Sequence, residues 1–148
     1  MKTKIILLSF SLFLIASIGF AQKKDEPKSI INDRIAIKKY YNKEELERLP
    51  KGDLLGLYTE RIEALVETLP YIAFATKPGI TMSSLGIPND SDNKKTLDGK
   101  FASTRDFLLA NKEFQSKILP YSDTSKLISA ILFYEEILKS LHEYSEFH

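Results

Sequence analysis

Read for hydrophobic and polar positions, the chain opens on an apolar run from Ile5 to Phe20. Lys2 and Lys4 precede it, and Gly19-Phe20-Ala21 closes it before Gln22. A positive end, an apolar middle and small residues three and one positions before a cut after Ala21 form the pattern of a cleavable secretory signal. The run falls a little short of the roughly 20 residues that cross a hydrocarbon core, and Gln22-Lys23-Lys24-Asp25-Glu26 turns abruptly polar. The pattern predicts a signal peptide over 1–21, a periplasmic or secreted protein, and no membrane span after cleavage. With no cysteine at the cut, it also predicts no lipid anchor.

Residues 22–28 are charged, contain Pro27 and lack apolar side chains, so they read as a flexible leader. A single domain is expected over 29–148. Ile30, Ile31, Ile35, Ile37, Tyr40 and Tyr41 fit a helix loosely, although Ile35-Ala36-Ile37 also reads as a short strand. Asn42 followed by Glu45 predicts a capped short helix from Lys43 to Leu49, stopped at Pro50 because the proline ring clashes with a preceding turn. Gly52 then allows a reversal and Asp53 a new cap.

Leu54, Leu55, Tyr58, Ile62, Leu65, Val66 and Leu69 recur at spacings of three and four, which predicts an amphipathic helix with Glu60, Arg61, Glu63 and Glu67 left for water. Residues 77–100 are rich in turn formers, with Pro78-Gly79, Gly86, Pro88 and Asn89-Asp90-Ser91-Asp92-Asn93, and read as a long loop with a short helical turn at 92–97. Ser103 or Thr104 is expected to cap a helix through Phe107, Leu108, Phe114 and Ile118 to Pro120. Ser122-Asp123 opens the last helix, whose apolar residues from Leu127 to Tyr144 cover much of its circumference. The expectation is an all-α domain of four or five helices in two antiparallel hairpins with a crossing loop at 77–100.

Two stretches echo each other: Leu49-Pro50-Lys51-Gly52-Asp53 and Leu119-Pro120-Tyr121-Ser122-Asp123. The match does not extend into the helices, so the plain reading is that both sites need the same stop, turn and start.

Removal of the signal leaves 127 of 148 residues and changes the balance from 21 basic and 20 acidic residues to 19 and 20. That is one domain able to bury a core without staples. It has no overall field for nucleic acid, and the pairs Lys23-Lys24, Lys38-Lys39 and Lys94-Lys95 read as solvated surface. The absence of cysteine excludes disulfides, thiolate zinc sites and cysteine nucleophiles.

Catalytic chemistry finds little to stand on. His142 and His148 lie in the last seven residues, and no Gly-x-Ser-x-Gly, phosphate loop or dinucleotide fingerprint occurs. His142, Glu146 and Glu135 share a helical face, but Lys139 lies on it too, so a solvated mixed-charge face is the better reading than a metal site. Asp90 and Asp92 fail the calcium-loop pattern at Lys94. No catalytic residue, metal ligand or cofactor is assigned.

The expected function is an exported, non-enzymatic accessory protein that binds another envelope or extracellular protein. Its candidate contact residues are Ile80, Met82, Leu85 and Ile87 in the long loop and the pair Tyr40 and Tyr41. The alternatives are a small helical enzyme acting on glycans through carboxylates, which needs two close acids in a cleft, and a carrier, which needs an internal apolar cavity.

Overall fold

The computed structural model describes residues 27–32 and 37–146, so the signal over 1–21 and the leader up to Glu26 lie outside the described residues. Among the described residues the chain is mostly helical and has no strands. The four α-helices among the described residues are α1 (Lys43–Glu47), α2 (Lys51–Thr68), α3 (Ser91–Ile118) and α4 (Thr124–Glu146).

Local chemistry accounts for most of the boundaries. The reciprocal cap of α1 forms as expected: Asn42 Oδ1 accepts from the Glu45 amide at 2.8 Å, and Glu45 Oε2 accepts from the Asn42 amide at 3.0 Å. α2 starts at Lys51, directly after an extended Pro50. Asp53 therefore sits inside the first turn, where it complements the positive helix end instead of capping it. Both α2 and α3 tighten at their ends into a three-residue turn of the same sequence, Leu69-Pro70-Tyr71 and Leu119-Pro120-Tyr121. The proline lacks the N–H that an α-turn would use, and the tighter helix tolerates this.

The helix expected from Ser103 or Thr104 begins much earlier, at Ser91. The Asp90 carboxylate accepts from the Asn93 amide at 2.8 Å and caps it. Leu97, Phe101 and Thr104 follow at helical spacing and turn inward. Their burial outweighs Gly99, which costs roughly 1 kcal/mol against alanine in a helix. The long loop thus shrinks to residues 72–90.

The helix expected near Ile30 to Tyr41 does not form in the described part of that segment. Ser29 makes an isolated antiparallel bridge with Thr81, and the Ile30 amide donates to the Ile80 carbonyl at 2.8 Å. Further along, the Tyr41 amide donates to Glu135 Oε2 at 2.7 Å. Backbone donors that a helix would use are taken by distant partners.

The centre of the molecule is the seam between α2 and α4. Leu54 packs with Leu46, Leu127, Ile128 and Ile131, and further along Ala64 and Leu65 pack with Leu138. Both helices therefore advance together, so they run parallel. The expected pairing into two antiparallel hairpins is not confirmed: the tightest pair is separated in sequence by the whole of α3. α3 returns antiparallel along the other side of α2, fixed at its two ends. At its start, Leu97 and Phe101 join Ile30, Ile31, Ala75 and Met82 in a separate apolar cluster. At its far end, Lys51 Nζ donates to the carbonyls of Pro120 and Ser122, each at 2.7 Å.

Candidate functional site

The loop residues Ile80, Met82, Leu85 and Ile87 come together, but facing inward. Met82 is buried, and the other three are half-buried against Ile30, Ile31 and Leu97. Gly86, with φ 72°, ends the short turn at Ser83–Leu85 in the left-handed conformation that glycine adopts without a Cβ penalty. Tyr40 and Tyr41 are half-buried at the α2–α4 seam, away from that loop. The Tyr41 ring lies 4.5 Å from Lys39 Nζ, and the Tyr40 ring 5.5 Å from Lys139 Nζ. These six residues thus form two separate groups with little outward apolar area.

Charged residues expected in water prove to be central. Arg61 is 1% exposed and Glu135 0%. Glu135 Oε1 accepts from Arg61 Nη2 at 2.7 Å and from Nε at 3.1 Å, while Arg61 Nη2 also donates to the Lys39 carbonyl at 2.6 Å. With Glu135 Oε2 bound by Tyr41, both oxygens are satisfied, as a buried charge requires. Arg61 occupies the middle of the stripe Leu54, Tyr58, Arg61, Leu65, Thr68 that faces α4, so its position on the helix decided its burial. Beside it, the Tyr58 and Tyr134 rings meet tilted at 5.5 Å between centroids, and burial, then the hydrogen bond with Tyr58, pushes the Tyr134 hydroxyl up to about 12. The network ties residues 39–41 to both helices, and with its groups bonded to one another its role is structural. The metal alternative loses Glu135 to this pair; the side chains of His142 and Glu146 and all of His148 lie outside the described residues. No group of three or more metal-binding side chains occurs among the described residues.

Large apolar side chains stand exposed at Phe74 after α2, at Phe133 on α4 and along α3. The inward stripe of α3 is Leu97, Phe101, Thr104, Leu108, Asn111 and Gln115. A second stripe, Phe107, Ala110, Phe114 and Ile118, shares one face by helical spacing and points to solvent. Phe107 is 56% exposed, Phe114 63% and Ile118 52%, and Tyr121 just beyond them is 87% exposed. The helix predicted through Phe107, Leu108, Phe114 and Ile118 forms, but of these four only Leu108 turns toward the core. The signal that separates them is in the sequence: residues 97 to 115 already complete an inward stripe without the other three.

Between α2 and α3, fixed at its ends, the helix pair opens into a groove. One hollow, of about 410 Å³, is lined by residues including Thr59, Glu63, Lys112 and Gln115. A second, of about 730 Å³, includes Glu63, Glu67, Phe101, Arg105, Leu108 and Lys112. The two meet at Glu63 and Lys112. Glu67, expected in water, is 9% exposed, and burial, then the charge of Glu63, raises its carboxyl above the usual range, with Lys100 acting in the opposite sense. Among the described residues no group hydrogen-bonds or ion-pairs with Glu63 or Glu67. Acid–base cleavage of a glycoside needs carboxyls on both sides of the scissile bond, whereas Glu63 and Glu67 stand one turn apart on the same wall. The groove is also open and of mixed polarity, unlike an enclosed apolar carrier cavity.

No family model matches the chain, and neither a curated protein nor a solved structure matches it. No helix among the described residues is long and apolar enough to cross a membrane.

Proposed function

We propose that the chain is an exported accessory protein that acts by binding another protein in the cell envelope or outside the cell. The reading of export rests on the pattern of Met1 to Gln22. The reading of binding rests on one observation above all, the outward stripe of Phe107, Phe114 and Ile118 on α3. Large aromatic side chains aligned along one rigid helix face, and rimmed by charges, are the surface that protein partners desolvate. The rim here is Arg105, Asp106, Glu113 and Lys117, all exposed and of mixed sign. A partner of matching chemistry presents its own apolar ridge flanked by both charges, the way helices pack into one another.

The test is site-specific photo-crosslinking of the full chain in its native cell, from position 114 and, as controls, from 82 and 41. A discrete adduct from 114 that disappears with Phe107→Asp supports the proposal. No adduct from 114, or equal adducts from the controls, rejects it. Sequencing of the extracytoplasmic protein from its N-terminus is expected to begin at Gln22; a chain retaining Met1 removes the export half of the reading.

A further inference from the structure

The groove between α2 and α3 holds a buried hydrogen-bond acceptor that no described residue satisfies. Gln115 is 8% exposed, lines the smaller hollow, and its Oε1 has no hydrogen-bond partner. Glu67 is nearly as buried, lines the larger hollow, and has no hydrogen-bond or ion-pair partner among the described residues. The orphaned Gln115 oxygen carries a desolvation cost, which a donor arriving from outside relieves; the Glu67 oxygens still reach solvent. Glu63 stands between them where the two hollows meet, likewise without a hydrogen bond or ion pair.

These acids lack paired donors, although the Tyr71 hydroxyl, also buried and without a hydrogen-bond partner, lies near enough to Glu67 to feel its charge. The other acids of the groove are already engaged: Asp98 with Lys28 at 2.8 Å, and Glu60 with Arg61 at 3.0 Å. Arg105 is 3.6 Å from Asp106, so among the described residues Lys112 lines the groove without an ion-pair partner, and Lys100, also without one, is close enough to affect Glu67. Phe101 and Leu108 supply apolar wall in the larger hollow. The acceptors are also spread out along the groove: Glu63 and Glu67 are one helical turn apart on α2, and Gln115 lies on α3 toward its end.

We propose that this groove binds an elongated aliphatic amine, with an ammonium group on Glu67 and Glu63, a methylene chain against Phe101 and Leu108, and a second N–H donor on Gln115 Oε1. An ammonium carries three donors and no acceptor, which is the complement of this wall. A neutral polyol offers donors without the charge, and an anion meets only acceptors.

Amide-resolved NMR of the full chain, titrated with spermidine at constant ionic strength, tests this. Saturable shifts are expected at residues of α2 and α3 that line the groove. Glu67→Gln is expected to weaken binding about tenfold or more, the equivalent of one charge-assisted hydrogen bond. Gln115→Leu is expected to weaken it less, and Lys112→Gln to tighten it by removing a like charge. Glu44→Gln, on the exposed face of α1, should leave it unchanged, and a diol of similar length should produce no shifts. The proposal is overturned if spermidine moves acidic surface indiscriminately, if Glu67→Gln binds as well as the parent, or if the diol gives the same response. Each variant keeps a dispersed amide spectrum as its own control for folding. The stripe of Phe107 and Phe114 is not involved, so this result and that of the crosslinking experiment are independent.

Discussion

α2 has two neighbours, and it treats them differently. Against α4 it presents Leu54, Tyr58, Arg61, Leu65 and Thr68. The buried charge of that seam is matched to Glu135 with both carboxylate oxygens bonded. Against α3 it presents Glu60, Glu63 and Glu67, facing a groove in which Glu67 and Gln115 find no partner. The α4 side is packed along its length. The α3 side is closed at the ends, by the Leu97 cluster and by Lys51, and left open between them. The contrast separates a seam that holds the fold from an interface that keeps polar groups and an outer aromatic stripe available.

The contrast predicts a steep gradient of mutational effect. The largest is at the seam: Glu135→Ala strands the Arg61 charge and is expected to cost about 3–5 kcal/mol in denaturant unfolding. The paired change Arg61→Met with Glu135→Leu should recover most of that loss; if the single change costs under about 1 kcal/mol, the seam is not the holding element. Next is the staple. Lys51→Met removes two charge-assisted bonds to carbonyls and is expected to cost about 1–3 kcal/mol, with amide exchange accelerating first around residues 119–123. Unchanged exchange there would mean that α3 is held by something else.

The groove should respond to pH with a distinctive sign. The Glu67 carboxyl titrates above its unfolded value, so the folded state retains a proton that the unfolded state releases. Its burden on stability is absent below the unfolded value near pH 4 and fully present above the raised folded one. Glu67→Gln is therefore expected to stabilise the protein at neutral pH and to make no difference in strong acid; a loss of stability at neutral pH would show that the carboxylate is needed for the fold. The smallest effect is expected on the outer stripe. Phe114→Ser should change unfolding free energy by no more than about 0.5 kcal/mol while removing the partner crosslink. A cost of several kcal/mol would show that Phe114 is packed against the protein itself.

Much of this architecture was legible along the chain, for local reasons. Asn42 with Glu45, the stops at Pro50 and Pro120, and the Asp123 carboxylate that accepts from the amides of Ser125 and Lys126 all act within a few residues of themselves. Arg61, Glu67 and Glu135 misled because a charged residue inside an apolar period reads as surface until its partner is known. Arg61 and Glu135 are 74 residues apart in sequence, and no spacing rule links them. The start of α3 misled for a related reason. Gly99 and the turn formers before it weigh against a helix locally, and only the burial of Leu97 and Phe101 against Ile30 and Ile31 overcomes them. The outer stripe was visible as aromatic residues at helical spacing, but not as exposed, because α3 carries two apolar stripes and either could face the core.

By itself, then, the sequence determined an all-helical, cysteine-free domain, the positions of its proline stops and the caps at Asn42 and Asp123. These follow from backbone geometry and side chains acting on their immediate neighbours. Only the tertiary structure decided that α2 and α4 run parallel, that a charge pair lies at their centre, and that α3 stands off to leave a groove and an exposed face. Those outcomes depend on which surfaces exclude water from each other, a property of elements brought together from far apart in the chain.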